Sequence, residues 1–226
     1  MTAPAAAPTA AFVAPFVAFL MLTSVEAKLP AAAWPWAYAA KIAVVAGILW
    51  RFRRAYPAPR WHGVPAAFAF GIACCGGWVA LARIDLWAHA PEFLRAWLAP
   101  ARAGFDPAKL ADPLGRWLFV AVRLLGLALV VPLLEEVFWR GFLVRWFIDE
   151  RFETVPEGAW NWPGFAATAG LFVAVHSELL AALAWALAAH WVWVRGRNLW
   201  ANIAFHAGTN AALGAWILAT RDWRLW

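Results

Sequence analysis

The stretch VVPLLEEVFWRGFL, residues 130–143, decides how this chain is read. Two carboxylates and a guanidinium stand in a run that is otherwise apolar. Glu136 and Arg140 are four residues apart, so on a helix they share a face and pair. Glu135 lies about 100° further round, and one guanidinium cannot neutralise both acids. A buried carboxylate without a cation is costly, and it is a natural general base. Pro132, one turn upstream, removes a backbone donor and bends or breaks the helix, so segments are expected at 114–134 and 135–148.

The rest of the chain says what surrounds this stretch. Of 226 residues, 65% are hydrophobic and 14% charged, and the mean hydropathy is +0.63. A soluble domain carries about 25% charged residues. These side chains cannot cover a water-facing surface, so the solvent is a lipid bilayer. The net charge of +6 does not point to nucleic acid, because the basic residues sit in short clusters between apolar runs. Arg51, Arg53, Arg54 and Arg60 form one such cluster, as cytoplasmic loops do. Cys74 and Cys75 are adjacent within an apolar run and read as small packing residues. Many of the tryptophans, including Trp36, Trp61, Trp162 and Trp226, fall at the ends of apolar runs, the headgroup level of a membrane.

The expected fold is all-α: a polytopic membrane protein of about eight transmembrane helices enclosing a polar cavity. The segments are 10–27, 34–50, 64–82, 114–134, 135–148, 164–177, 179–194 and 199–219, in one membrane domain spanning 10–226. Residues 1–9 read as a disordered lead-in, and the absence of Lys or Arg before Lys28 argues against a cleavable signal peptide. Residues 83–113, with Trp87, Phe93, Leu94 and Trp97, suit an amphipathic helix on the membrane surface or packing against the spans. Loop 51–62 is basic and expected in the cytoplasm, whereas loop 149–163, with Asp149, Glu150, Glu153 and Glu157, is expected outside. Eight crossings then put both termini in the cytoplasm of a bacterial inner (plasma) membrane. Arg195 and Arg197 disagree with that assignment.

Ionisable side chains in spans cost about 2.5–3.5 kcal/mol each on insertion scales, and they persist when paired, hydrated or functional. Beyond the glutamates, His176 follows Phe172 by four residues. His206 and Asn210 form a second four-residue pair. An imidazole and an amide aimed at one point are plausible donors to an oxyanion. Asn202 and Thr209 read as polar glue between helices, Gly208 as a point of close helix approach, and Arg123, Lys41 and Glu26 as residues that pair or snorkel. Base, histidine and oxyanion donors from three separate spans are the parts of a hydrolase.

With these motifs the sequence resembles the CAAX protease and bacteriocin-processing superfamily of intramembrane peptidases, which includes the eukaryotic Ras-converting endopeptidase. Glu135-Glu136 with Arg140, Phe172 with His176, and His206 with Asn210 match its three motifs in order and spacing, over about 113–220. The run from Pro15 to Glu26, the arginines before Tyr56-Pro57, and Gly63 also suggest a bacterial subgroup associated with exosortase sorting systems. The resemblance implies eight helices around a cavity open to lipid, with Glu135 and His176 activating water. It implies that His206 and Asn210 stabilise the oxyanion, that Glu136 and Arg140 hold the constellation, and that Phe172 packs beside it. The substrate would be a membrane-anchored or C-terminally sorted protein. No cofactor is expected; the alternative is zinc held by Glu135, His176 and His206. A non-catalytic immunity or scaffold protein of the same fold is the main competing reading. A transporter is the other, although the repeats expected of one are missing.

Overall fold

In a computed structural model the described residues, 8–84, 88, 91–93 and 104–226, build a helical bundle. Its long helices are α1 (Thr9–Glu26), α2 (Trp34–Phe52), α3 (Val64–Leu81), α4 (Pro113–Trp146), α5 (Trp162–Ala174), α6 (Leu179–Gly196) and α7 (Leu199–Thr220). Most of the expected lead-in, and about half of the stretch 83–113 expected to form a surface helix, lie outside the described residues. Five helices, α1 to α4 and α6, are long and apolar enough to cross a membrane. The chain is an integral membrane protein.

Local chemistry sets the helix starts. Asp112 caps α4 by accepting from the Leu114 and Gly115 amides, with Pro113 in the first turn. Asn161 accepts from Gly164 N at 2.8 Å at the start of α5, and Asn198 accepts from Trp200 N at 3.0 Å at the start of α7. Each side chain satisfies an amide that the first helical turn leaves without a partner.

The expected break at Pro132 does not occur. The fourth and fifth expected segments are one helix of 34 residues. The backbone widens to π turns at Gly126–Val130 and Trp139–Leu143. In the first of these the Val131 amide reaches Gly126 O. In that register the donor missing at Pro132 would have served Leu127 O, and Asn210 Nδ2 donates to that carbonyl instead, at 2.9 Å. The proline is thus absorbed by a wider turn and a side chain from α7, and the helix continues.

That fusion changes which loops share an end. Arg60 pairs with Glu157 at 2.6 Å and donates to Arg197 O at 2.9 Å. Asn198 donates to the carbonyls of Arg60 and His62. The loops after α2, α4 and α6 therefore lie together, and the assignment of 51–62 and 149–163 to opposite sides is corrected. Arg195 and Arg197 now fall beside Arg51–Arg60, which removes their disagreement. Tyr56 donates to Ala11 O at 2.8 Å, fixing the start of α1 at this same end. Trp223–Leu225 lies at the other end, where a side chain on Gly104 would collide with Trp223 O. Among the described residues the start of α1 and the segment after α7 lie at opposite ends of the bundle, whereas both termini are expected on one side.

Helices α3 and α7 pack backbone to backbone. A Cβ on Gly71 would stand 2.0 Å from Phe205 O, and one on Gly208 would stand 2.3 Å from Phe68 O. Neither neighbour is a flexible side-chain tip. Gly71→Ala should therefore force the two helices apart and destabilise the protein by about 1–3 kcal/mol, the usual range for overpacking. Denaturant titration in lipid nanodiscs measures this, and an unchanged midpoint would contradict the close approach.

Candidate active site

Glu136 is the centre of a buried polar network. Its carboxylate is fully buried. Oε1 accepts from Arg140 Nη1 at 3.1 Å and faces His206 Nδ1 at 3.0 Å. Oε2 accepts from Asn202 Nδ2 at 3.4 Å, and Asn202 also donates to Ala189 O at 2.9 Å. Helices α4 and α7 meet on this one side chain, and Asn202 ties it to α6. An ionised carboxylate only accepts, so His206 Nδ1 carries a proton. Its Nε2 then donates only in the imidazolium and accepts in the neutral ring.

Glu135 is turned away from that network. It is 7% exposed, and its Oε2 is buried with no hydrogen-bond partner. The one-residue offset on α4 separates the two carboxylates as the helical period requires: Arg140 takes Glu136, while Glu135 faces a cavity of about 480 Å³. His176, His206 and Asn210 line the same cavity. Side chains from α4, from just beyond α5 and from α7 thus line one cavity.

His176 sits just beyond α5, which ends at Ala174 rather than including the histidine. It still faces Phe172, because Nδ1 meets Phe172 O at 2.7 Å. A carbonyl cannot donate, so Nδ1 bears the proton and, in the neutral ring, the lone pair is on Nε2. The contact also satisfies one of the last carbonyls of the helix. Phe172 stacks on His176 with centroids 4.2 Å apart and on Trp185 at 4.9 Å. Trp185 in turn packs on His206 at 4.5 Å and donates to Thr209 Oγ1 at 3.1 Å. An aromatic ladder thus fixes the spacing of the two imidazoles.

Trp185 has no counterpart in the sequence reading. Its only signal is being the one large residue of AALAWALAA, residues 181–189. Asn202 does serve as glue, as expected, but it is also a ligand of Glu136. Thr209 is glue as well, donating at 3.0 Å to Gly71 O or at 3.1 Å to Phe205 O. Lys41 pairs with Glu26, and Arg123 stacks over Tyr38 and Trp226. Trp226 lines the cavity at 8% exposure instead of facing headgroups. By contrast Trp36, Trp61 and Trp162 are 70–80% exposed, as interfacial rings are.

Among the described residues, no three His, Cys, Asp and Glu side chains are grouped so as to hold a metal ion. The set Glu135, His176 and His206 does not fit zinc in this arrangement, and no step below passes through a metal.

An acid, two histidines and an amide from three helical stretches therefore line one cavity of the bundle. Residues 117–212 match the family model described as Rce1-like, type II CAAX prenyl endopeptidase. This part of the chain is therefore similar to that family, which belongs to the CAAX protease and bacteriocin-processing superfamily. The match takes in every motif residue and leaves α1 to α3 outside. No curated protein and no solved structure matches the chain. The family is one of peptidases.

Proposed function

We propose that the protein is an intramembrane endopeptidase that hydrolyses a peptide bond of a membrane-anchored or C-terminally sorted protein. The observation that carries this reading is the shared cavity, lined by Glu135, His176, His206 and Asn210, in which Glu135 holds a buried carboxylate oxygen without a partner. Such an oxygen suits an attacking water. Glu135 accepts the water's proton as the water oxygen adds to the scissile carbonyl, and His176 assists from Nε2. The resulting oxyanion accepts from the second N–H of Asn210, whose first is held by Leu127 O, and from His206 Nε2 when that ring is doubly protonated. The C–N bond then breaks as the proton passes to the departing amine. Glu136 and Arg140 touch none of these atoms; they hold His206.

Comparative mass spectrometry of protein C-termini from cells carrying the parent or Glu135→Gln tests the reading. Processed C-termini should be lost with the variant. An unchanged set would leave a scaffold or immunity role. Activity of the purified protein that survives a strong chelator would separate a glutamate mechanism from a zinc one.

The arginine-rich end, with Arg51–Arg60, Arg195 and Arg197, faces the cytoplasm in this reading. Single cysteines placed at Arg60 and Asp222, in a protein with Cys74 and Cys75 replaced by alanine, report it. In intact cells an impermeant maleimide should label only the cysteine at 222, and labelling only at 60 would invert the orientation.

A further inference from the structure

Trp185 on α6 is 4% exposed and lies between two phenyl rings. Phe172 is 4.9 Å away and 15° from parallel, and Phe205 is 5.3 Å away and 29° from parallel. Two such neighbours hold the plane of an indole, but stacking changes little as the ring turns within that plane. A directed bond removes this freedom. Trp185 Nε1 donates to Thr209 Oγ1 at 3.1 Å. That hydroxyl is itself held: Thr209 is 1% exposed, and its own proton has Gly71 O at 3.0 Å and Phe205 O at 3.1 Å as acceptors. Gly71 belongs to α3, a helix outside residues 117–212 that match the peptidase family.

The orientation of this indole matters because of what it touches. His206 is tied at Nδ1 to Glu136 Oε1 at 3.0 Å. One hydrogen bond fixes a point on an imidazole and leaves the ring room to pivot about that contact. The indole of Trp185, with its centroid 4.5 Å away and its plane tilted by 59°, is the second contact. Together the two set the direction of His206 Nε2. The same indole centroid lies 5.7 Å from the guanidinium carbon of Arg140, whose Nη1 holds the same Glu136 oxygen. Trp185 therefore supports His206 directly and also packs on the arginine that pairs with its anchor.

Resting on the peptidase reading, we propose that Trp185 is a positioning residue for His206, aimed by the hydroxyl of Thr209 and braced through it on α3. The indole takes no proton, and its only N–H is given to Thr209. It holds His206 Nε2 where the oxyanion forms. A misplacement of about 1 Å in such a donor can cost about a hundredfold in rate.

The test sets shape against chemistry at position 209. Valine keeps the volume of threonine without the hydroxyl, whereas serine keeps the hydroxyl and is smaller. The full chain carrying isotope-labelled histidine, in lipid nanodiscs, is read by NMR, with each imidazole assigned by single substitution. The His206 ring signals should shift or broaden in Thr209→Val and stay at the parent positions in Thr209→Ser, with His62 unmoved in both. A threonine that only fills space predicts the reverse order, because serine leaves a gap. Trp185→Phe has no N–H to place, so adding Thr209→Val to it should move the His206 signals no further. That pair leaves no indole N–H unpaired, and it decides the matter if Thr209→Val alone does not fold. Unmoved His206 signals in Thr209→Val, equal movement in Thr209→Ser, or further movement in the double variant overturns the proposal. In cells, at matched protein levels, the rate of C-terminal processing should fall at least about tenfold in Thr209→Val and stay near the parent rate in Thr209→Ser. If processing is unaffected by Glu135→Gln, the peptidase reading falls instead, and the histidine signals still report whether Trp185 and Thr209 position His206.

Discussion

Glu135→Gln is expected to lower the rate of peptide cleavage by about 10²–10⁴-fold, the range general-base catalysis contributes, without changing the fold. The amide is nearly isosteric with the carboxylate but cannot take a proton from water. Because Glu135 Oε2 makes no hydrogen bond, the substitution breaks no contact at that atom. Helicity, detergent extraction and denaturant midpoint should therefore match the parent. That split, with chemistry lost and stability kept, separates a base from a structural acid. A variant that cleaves at the parent rate would remove Glu135 from the mechanism. One that unfolds would mean the carboxylate is part of the scaffold.

The neighbouring glutamate should behave in the opposite way. Glu136→Ala removes the shared acceptor of Arg140, His206 and Asn202 at once. It leaves Arg140, 4% exposed, as a buried charge without its counterion. Breaking a buried pair from one side costs about 3–5 kcal/mol, whereas replacing both partners with apolar residues is often neutral. Glu136→Ala should thus shift the denaturant midpoint strongly. Glu136→Leu combined with Arg140→Leu should recover most of the stability but little activity, because His206 loses its anchor. A double variant no more stable than Glu136→Ala would show that the buried charge is not what costs the stability.

The two experiments rest on a distinction only partly visible in the sequence. That two carboxylates and one arginine cannot all be satisfied follows from spacing alone, and so does the identity of the acid left over. A helical period of about 100° per residue leaves Glu136, not Glu135, opposite Arg140. The sequence is silent on the other ligands of Glu136, because they come from α7, some 66 to 70 residues away in the chain. Trp185 was invisible for a related reason: a tryptophan in a membrane helix carries no mark distinguishing a lipid-facing ring from one wedged between Phe172 and His206.

Pro132 was legible as a perturbation but not in its outcome. A proline specifies a missing donor. Whether the helix breaks or widens depends on what else supplies hydrogen bonds there, and Asn210 of α7 supplies one to Leu127. The misassigned loops follow from this single difference. Fusing two expected segments into one helix moves everything downstream to the other end of the bundle, and no local feature of residues 149–163 reveals it.

What the sequence determined by itself was the solvent, the all-helical class and the residue types of the site, since each depends on composition or on spacing within one helix. What only the tertiary structure decided was the continuity of α4, the end of the bundle at which each loop lies, and the placing of Trp226 and Arg123 in the cavity wall. Those depend on contacts between segments far apart in the chain, which a helical period cannot encode.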